Sequence, residues 1–447
     1  MKKLILLTAI SFLMVSFTQA QNTVNGTVNT TVQKTSPQIL QDFMDLRFGM
    51  FIHFGPVTLR GTEIGWSRNN QVTQDDYDSL YKEFDPVLFN ADDWVKTAKA
   101  AGMKYLTITA KHHDGFCLWP TKYTDYNISN SPFKKDIVGA LAMSCKKYDV
   151  KFCIYYTVLD WYDKRYPLHN DGKGPDPAAN MPAFVQYMKN QLRELVTNYH
   201  PYMLWFDGNW EKPWTLEDGK EIYRYLKSLD PDLIVNNRLG KGEHPALSSE
   251  TVGDYATPEQ KVGTMNMDYP WESCITLCSQ WAWKPNDKMK SLKECLQTLA
   301  STAGGNGNLL FNVGPMLDGR IEMRQQKRLR EIGNWLKTYG ESIYNTKGGI
   351  YTPTKSMVST RKGQKIYLHL FKSPGSKLVL PAVPGCHIKA AAFLKGKEIQ
   401  FQQKDQRVIL NLPDTLPDEN DAVIELQMDK NVENLPVIDL NESYEDV

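Results

Sequence analysis

Apolar and polar positions follow two different rhythms along this chain. From about Asp42, short apolar runs are separated by longer amphipathic stretches. Met50–Phe54, Tyr105–Thr109, Phe152–Tyr156, Met203–Phe206, Leu233–Asn236 and Leu309–Val313 are brief and rich in aromatic and β-branched residues, so each predicts a strand. The intervening stretches have helical spacing. Ala91–Ala101 follows the N-cap-like Asn90, Met181–Tyr199 is a long amphipathic run, and Leu216–Leu229 opens on "TLED", Thr215 to Asp218, a capping-box signature. Strands alternating with helices predict parallel βαβ units, hence an α/β fold. Six or more such strands in about 300 residues favour a (β/α)8-like barrel over an open sheet. The glycines of "AGGNGNLLFNVGP", Ala303 to Pro315, precede a strand instead of joining strand to helix, so they do not predict a phosphate cradle.

After Thr352 the rhythm shortens. "KIYLHLFK", "KLVLPAV", "IKAAAFL", "RVILNL" and "AVIELQM" alternate every second residue, with turns such as "SPGS" between them. They predict a C-terminal antiparallel β-sandwich over 351–432 behind a catalytic barrel domain of 37–350, and an acidic, Asn-rich tail, 433–447, expected to fray. At the other end, Lys2 and Lys3, the apolar Leu4–Phe17 and "TQA" (Thr18 to Ala20) predict a signal peptide over 1–20. That apolar run is short for a span of about 20 residues. Export to the periplasm or medium is the expectation, with a Thr/Asn-rich flexible leader over 21–36 and no membrane span.

Composition adds little except in two respects. Lys and Arg number 52 against 51 Asp and Glu, so no global field attracts nucleic acid or an anionic membrane. The chain carries 11 Trp and 22 Tyr, which beside polar clusters offer flat faces to sugar rings. Its seven cysteines (Cys117, Cys145, Cys153, Cys274, Cys278, Cys295 and Cys386) are scattered with no CxxC, predicting buried free thiols and no zinc knuckle.

Candidate chemistry gathers where the strands end. His53 closes "FGMFIHFG", His112 and His113 close "LTITAKHH", Tyr155 and Tyr156 close "FCIYYT", Asp207 closes "MLWFDG", and Arg238 follows "LIVNN". Barrel topology would bring all five clusters to one rim. An Asp after a strand is also a common Asx-turn or N-cap. Glycoside chemistry requires a second carboxylate; Glu250, Asp254 and Glu259 in "SSETVGDYATPE" and Glu272 in "YPWESC" are the candidates. Pro258 favours an extended stretch that holds Glu259 outward, whereas Glu272, after Trp271, reads equally well as a buried, paired carboxylate. His53, His112, His113 and Asp207 could instead ligate a metal, but no HxH or HExxH spacing is present. Adjacent histidines reach one ion only across a bulge. Imidazoles that grip sugar hydroxyls, with Trp66, Trp119, Trp205, Trp281 and Trp283 as apolar faces, fit the pattern better.

"FGMFIHFG", "KHHDGFCLW", "TKYTDYN", "LWFDG", "VNNR", "GDYATPE" and "GGNGNLLFNVGP" together, in this order, resemble the α-L-fucosidases, family 29 of the glycoside hydrolases. The resemblance runs from about Asp42 to Thr352. It implies a barrel followed by a β-sandwich, and a retaining exo-α-L-fucosidase that acts on terminal fucose of oligosaccharides or glycoconjugates without metal or cofactor. It implies Asp207 as nucleophile and Glu259 as acid/base, with Glu272 in reserve. His53, Trp66, His112, His113, Tyr156 and Arg238 match positions that hold the fucose ring, and Trp281 matches an aromatic near its methyl group. The family often has a Glu just before the Trp matched by Trp66; here that residue is Gly65, and Glu63 is the nearest carboxylate. A non-catalytic fucose-binding protein and a metal-dependent hydrolase are the alternatives. Linkage preference and oligomeric state are not carried by these motifs.

Overall fold

The apolar runs pair side by side into one parallel sheet. The computed structural model describes residues 34–242, 247 and 251–440; the predicted signal peptide, nearly all of the leader, and Glu250 lie outside the described residues. The strands are β1 (Phe48–Ile52), β2 (Tyr105–Lys111), β3 (Lys151–Thr157), β4 (Met203–Asp207), β5 (Ile234–Val235), β6 (Glu272–Thr276) and β7 (Asn308–Val313). They lie in the order β5-β4-β3-β2-β1-β7-β6. Apart from Lys151 every residue in them is buried, as expected of parallel strands covered on both faces. β6 was not among the predicted strands, because Glu272 and the thiol and hydroxyl after it break its apolar pattern.

The sheet closes through an irregular eighth stretch. Residues 252–259 bridge in parallel to the β5 side through Asn236↔Tyr255 and Arg238↔Val252, and to the β6 side through Ala256↔Trp271 and Glu259↔Cys274. Inward-facing Phe51, Tyr105, Tyr155, Met203, Trp205, Tyr255 and Leu310 fill the interior. Phe43 and Met44 of α1 (Pro37–Leu46) join that cluster from the strands' N-terminal end. The chemistry is thereby left to the opposite end.

The predicted helices form with little change, as α3 (Ala91–Ala100), α5 (Met181–Tyr199) and α6 (Leu216–Leu229); α2 (Gln74–Ser79), α4 (Ile137–Tyr148), α7 (Leu292–Gly304) and α8 (Met323–Tyr339) join them. Caps fix their starts. Asn90 accepts from Asp93 N, and Thr215 with Asp218 forms the full reciprocal capping box, as Ser291 does with Glu294. Two C-caps, Asp149 and His200, are left-handed. Among the described residues no helix is long and apolar enough to cross a membrane.

The C-terminal strands are β8 (Lys347–Gly348), β9 (Met357–Lys362), β10 (Lys365–Leu370), β11 (Lys377–Pro381), β12 (Ile388–Phe393), β13 (Phe401–Lys404), β14 (Arg407–Asn411) and β15 (Ala422–Met428). A five-stranded sheet, β12-β15-β10-β9-β8, faces a three-stranded one, β11-β14-β13, over a shared apolar core. Two predicted boundaries shift. Thr35, at the end of the supposed flexible leader, is buried and donates to Asp254 Oδ2 at 2.9 Å. The described part of the tail, 433–440, does not fray, since Ile438 N donates to Ile350 O at 2.7 Å and Leu435, Ile438 and Leu440 pack on the sandwich, while 441–447 lie outside the described residues. All seven cysteines are free and buried, as predicted.

Candidate active site

A cavity of about 260 Å³ opens at the C-terminal ends of the strands, lined by Phe51, His53, Trp66, His112, Tyr155, Trp205, Asp207, Trp210, Glu259, Cys274 and Trp281. Strand parity puts them there. Cys153 and Tyr155 on β3, and Met203 and Trp205 on β4, point inward, so Asp207 two residues on points inward as well.

Asp207 is 9% exposed and has three partners. Arg238 Nη1 donates to Oδ1 at 2.8 Å, Tyr155 OH donates to Oδ2 at 3.0 Å, and His113 Nε2 lies 3.6 Å from Oδ2. Burial opposes its charge, but the Arg238 guanidinium and the hydrogen bonds from Arg238 and Tyr155 outweigh burial and hold the carboxyl below its ordinary value. Arg238 is itself fixed, donating from Nε to Thr257 Oγ1 at 3.1 Å and from Nη2 to Thr257 O at 3.1 Å. Its guanidinium lies 4.8 Å from the centre of the Trp205 ring. The same Nη1 is 2.8 Å from Glu259 Oε2. One nitrogen therefore holds both carboxylates, and an oxygen of each lies within twice 2.8 Å of the other. Glu259 rides the closing stretch at the rim, with its side chain 39% exposed.

Burial drives the histidines neutral: His53 down to about 3, His113 to about 4, and His112 well below its ordinary value. His53 Nδ1 is 2.7 Å from Asn312 Oδ1, and Asn312 Nδ2 donates to Trp281 O at 2.8 Å. Neutral His53 accordingly carries its proton on Nδ1 and offers Nε2 as an acceptor. His112 stacks on Tyr155 at 5.3 Å and 6°. The adjacent histidines stay together, their ring centres 4.2 Å apart at 49°, just past the point where the β2–β3 register shifts between Thr109 and Lys111. His112 lines the cavity, while His113 stands behind Asp207 with Nδ1 2.8 Å from Thr157 Oγ1.

Four predicted residues sit elsewhere. Tyr156 faces the helices: its hydroxyl donates to Gln191 at 2.7 Å and its ring lies under Lys111 Nζ at 4.3 Å. Glu272 is wholly buried inside the barrel, accepting from Tyr105 OH at 2.5 Å and Trp205 Nε1 at 3.1 Å, and burial pushes it up to about 8. It supports Trp205 and does not border the cavity. Glu63 accepts from the Trp281 and Ala282 amides at 2.9 and 3.0 Å, bracing an aromatic wall from behind. Asp254 is buried among Thr35, Tyr223 and Val235 N, far from solvent.

Trp210, Phe51 and Cys274 line the cavity without having been singled out in the sequence, and of the pair Tyr155 and Tyr156 it is Tyr155 that lines it. Parity along "FCIYYT" would have selected Tyr155. Trp210 stacks on Trp66 at 6.0 Å and 17°, three residues past Asp207. The glycine-rich motif has a packing role: a Cβ on Gly305 or Gly307 would approach the Trp271 ring to 3.0 or 2.4 Å. Among the described residues no group of three His, Cys, Asp or Glu side chains is arranged to hold a metal ion.

Comparison with known proteins converges on one family. A family model described as "Alpha-L-fucosidase" matches residues 12–341. The α-L-fucosidase of Branchiostoma floridae is 29% identical over 76% of this chain and 80% of its own length; human plasma α-L-fucosidase is 29% identical over 75% and 76%. Among solved structures, α-L-fucosidase isoenzyme 1 of Paenibacillus thiaminolyticus superposes with a TM-score of 0.79 at 32% identity, covering 88% of this chain and 99% of that one. A Bacteroides thetaiotaomicron GH29 α-L-fucosidase, described as a trapped covalent intermediate with 2-fluoro-fucosyl fluoride, gives 0.79 at 27% identity over 89% and 97%.

Proposed function

This chain belongs to the α-L-fucosidase family of glycoside hydrolases, and from that premise we propose that it is an exported, retaining exo-α-L-fucosidase in which Asp207 is the nucleophile and Glu259 the acid/base. The observation that carries the mechanism is Arg238 Nη1 at 2.8 Å from both carboxylates. Retaining enzymes keep their two carboxyls ~5–5.5 Å apart, while inverting ones need ~6.5–9.5 Å to admit a water. The shared nitrogen fits the shorter spacing.

Asp207, kept ionised by the Arg238 guanidinium and the Tyr155 hydroxyl despite burial, attacks the anomeric carbon as Glu259 gives its proton to the leaving oxygen. A fucosyl ester on Asp207 results, and the aglycone departs. Glu259, at the solvent-facing rim, then takes a proton from water as that water attacks the same carbon, freeing Asp207. The His53 Nε2 acceptor and the His112 ring serve the sugar hydroxyls, with Trp66 and Trp281 covering apolar faces. A cavity floored by Phe51, Trp205 and Cys274 suits a terminal residue. The trapped covalent intermediate of the Bacteroides relative supports the same two-step course, and "MKKLILL" followed by "TQA" supports export.

The test is release of 4-nitrophenol from 4-nitrophenyl α-L-fucoside. Wild type turns over in the presence of EDTA, Asp207→Ala loses on the order of 10³-fold or more, and azide partly restores it. Proton NMR of the first sugar released shows the α anomer. First appearance of the β anomer rules out retention, and fucose binding without turnover of aryl or oligosaccharide fucosides leaves only a binding protein.

A further inference from the structure

One loop carries both aromatic walls of the cavity. Trp66 stands on it directly, and Glu63, three residues earlier, holds the Trp281 and Ala282 amides at 2.9 and 3.0 Å. Between them lies Gly65, whose φ of +68° is left-handed and where a Cβ would come within 2.9 Å of His112 Nδ1 and 3.3 Å of His113 Cβ. With no side chain to fasten it, Gly65 is fastened by its amide. Gly65 N donates to Tyr77 OH at 2.8 Å, and Tyr77 OH donates to Asp114 Oδ2 at 2.6 Å. Asp114 is the aspartate of "KHHDG"; its Oδ1 takes the Phe116 amide at 3.1 Å. Tyr77 and Asp114 are 1% and 2% exposed, so neither touches substrate. The next residue of α2, Asp78, takes Arg68 Nε and Nη2 of the same loop, both at 2.7 Å.

We propose that Tyr77 and Asp114 are positioning residues of the fucosidase reaction, a buried relay that grips Gly65 and through it fixes Trp66 and the Glu63 brace of Trp281. The proposal rests on the reading that Trp66 and Trp281 hold the fucose ring. It also gives the aspartate beside the two histidines a role: joining the loop that carries His112 to the loop that carries Trp66, so that the polar and aromatic sides of the cavity keep one spacing. Removing the Tyr77 hydroxyl leaves a buried amide and a buried carboxylate without their partner, which frees the loop to move.

A double-mutant cycle on the full chain tests this, read as KM for 4-nitrophenyl α-L-fucoside and as the inhibition constant of free L-fucose. Tyr77→Phe is expected to raise both about tenfold with kcat held within about threefold. Asp114→Ala should do the same, and Asp114→Asn, which keeps an oxygen for Tyr77, should recover most of the loss. In a Trp66→Ala background Tyr77→Phe should add less than about twofold, because the wall it serves is gone. Full additivity in that background, or a loss confined to kcat, overturns the relay. If Tyr77→Phe is not recovered folded, Asp114→Ala replaces it in the cycle under the same criterion. Absence of turnover in wild type is a separate failure, of the proposed function and not of the relay.

Discussion

Tyr155 and Tyr156 are chemically identical neighbours on β3, yet one donates to the carboxylate of Asp207 and the other to Gln191 of α5. Nothing but the two-residue repeat of a strand separates them. A hydrogen bond to a charged group contributes about 1.5–3 kcal/mol, so Tyr155→Phe is expected to cost about 10- to 100-fold in kcat/KM, whereas Tyr156→Phe acts on thermal stability. Steady-state kinetics on both variants decides it; equal losses would mean that the parity argument fails. Glu272 offers a second residue-level test. Burial raises it from 4.5 to about 8, so between those pH values the folded chain holds a proton that the unfolded chain releases. Stability should fall as pH rises through that window, by on the order of 4 kcal/mol, and Glu272→Gln should abolish this contribution. Urea unfolding of both proteins at pH 5 and pH 8 measures it. The histidines work in the opposite sense: His53 and His113, depressed to about 3 and 4, add stability as pH rises toward about 6.5.

At the level of elements, the closing stretch 252–259 matters more to function than its irregularity suggests. It plugs the gap between β5 and β6 and carries Glu259 at its end. Gly253 makes the close approach possible, with φ +131° and a position at which a Cβ would fall 2.2 Å from Asn236 O. Gly253→Ala should therefore destabilise by about 2–3 kcal/mol or more and lower kcat, since Glu259 moves with the strand. A melting curve and kcat on the same sample would show both, and a variant that melts lower with unchanged kcat would uncouple closure from catalysis. The capped helices were legible from sequence because caps are local: Asn90 and the Thr215–Asp218 pair act within one turn. The closing stretch and β6 were not legible. Their pairing is set by neighbours in space, and polar Glu272, Ser273 and Thr276 are buried there only because the barrel supplies partners.

For the whole molecule, the described residues group as one compact unit in which the sandwich packs against the barrel's helices. Gln297 of α7 donates to Asn420 O at 3.0 Å, Gly304 is close enough that a Cβ would lie 3.0 Å from Val358, and Trp335 of α8 lies 6.3 Å from His369 of β10. A chain truncated after residue 350 should lose solubility, because it bares the apolar flank of α7 and α8; a soluble, active fragment would show that the sandwich is dispensable. The alternation of strands with helices, the rim on which the chemistry gathers, and the motif set "KHHDG", "WFDG" and "TPE" were determined by sequence alone, since periodicity, caps and strand ends are local properties of the chain. Tertiary structure decided that Tyr155 and not Tyr156 meets Asp207, that Glu63 braces Trp281, that Glu272 is barrel core, and that one Arg238 nitrogen joins Asp207 to Glu259. Each of those depends on which face of an element looks inward and on contacts between residues dozens to hundreds of positions apart, and no local pattern records them.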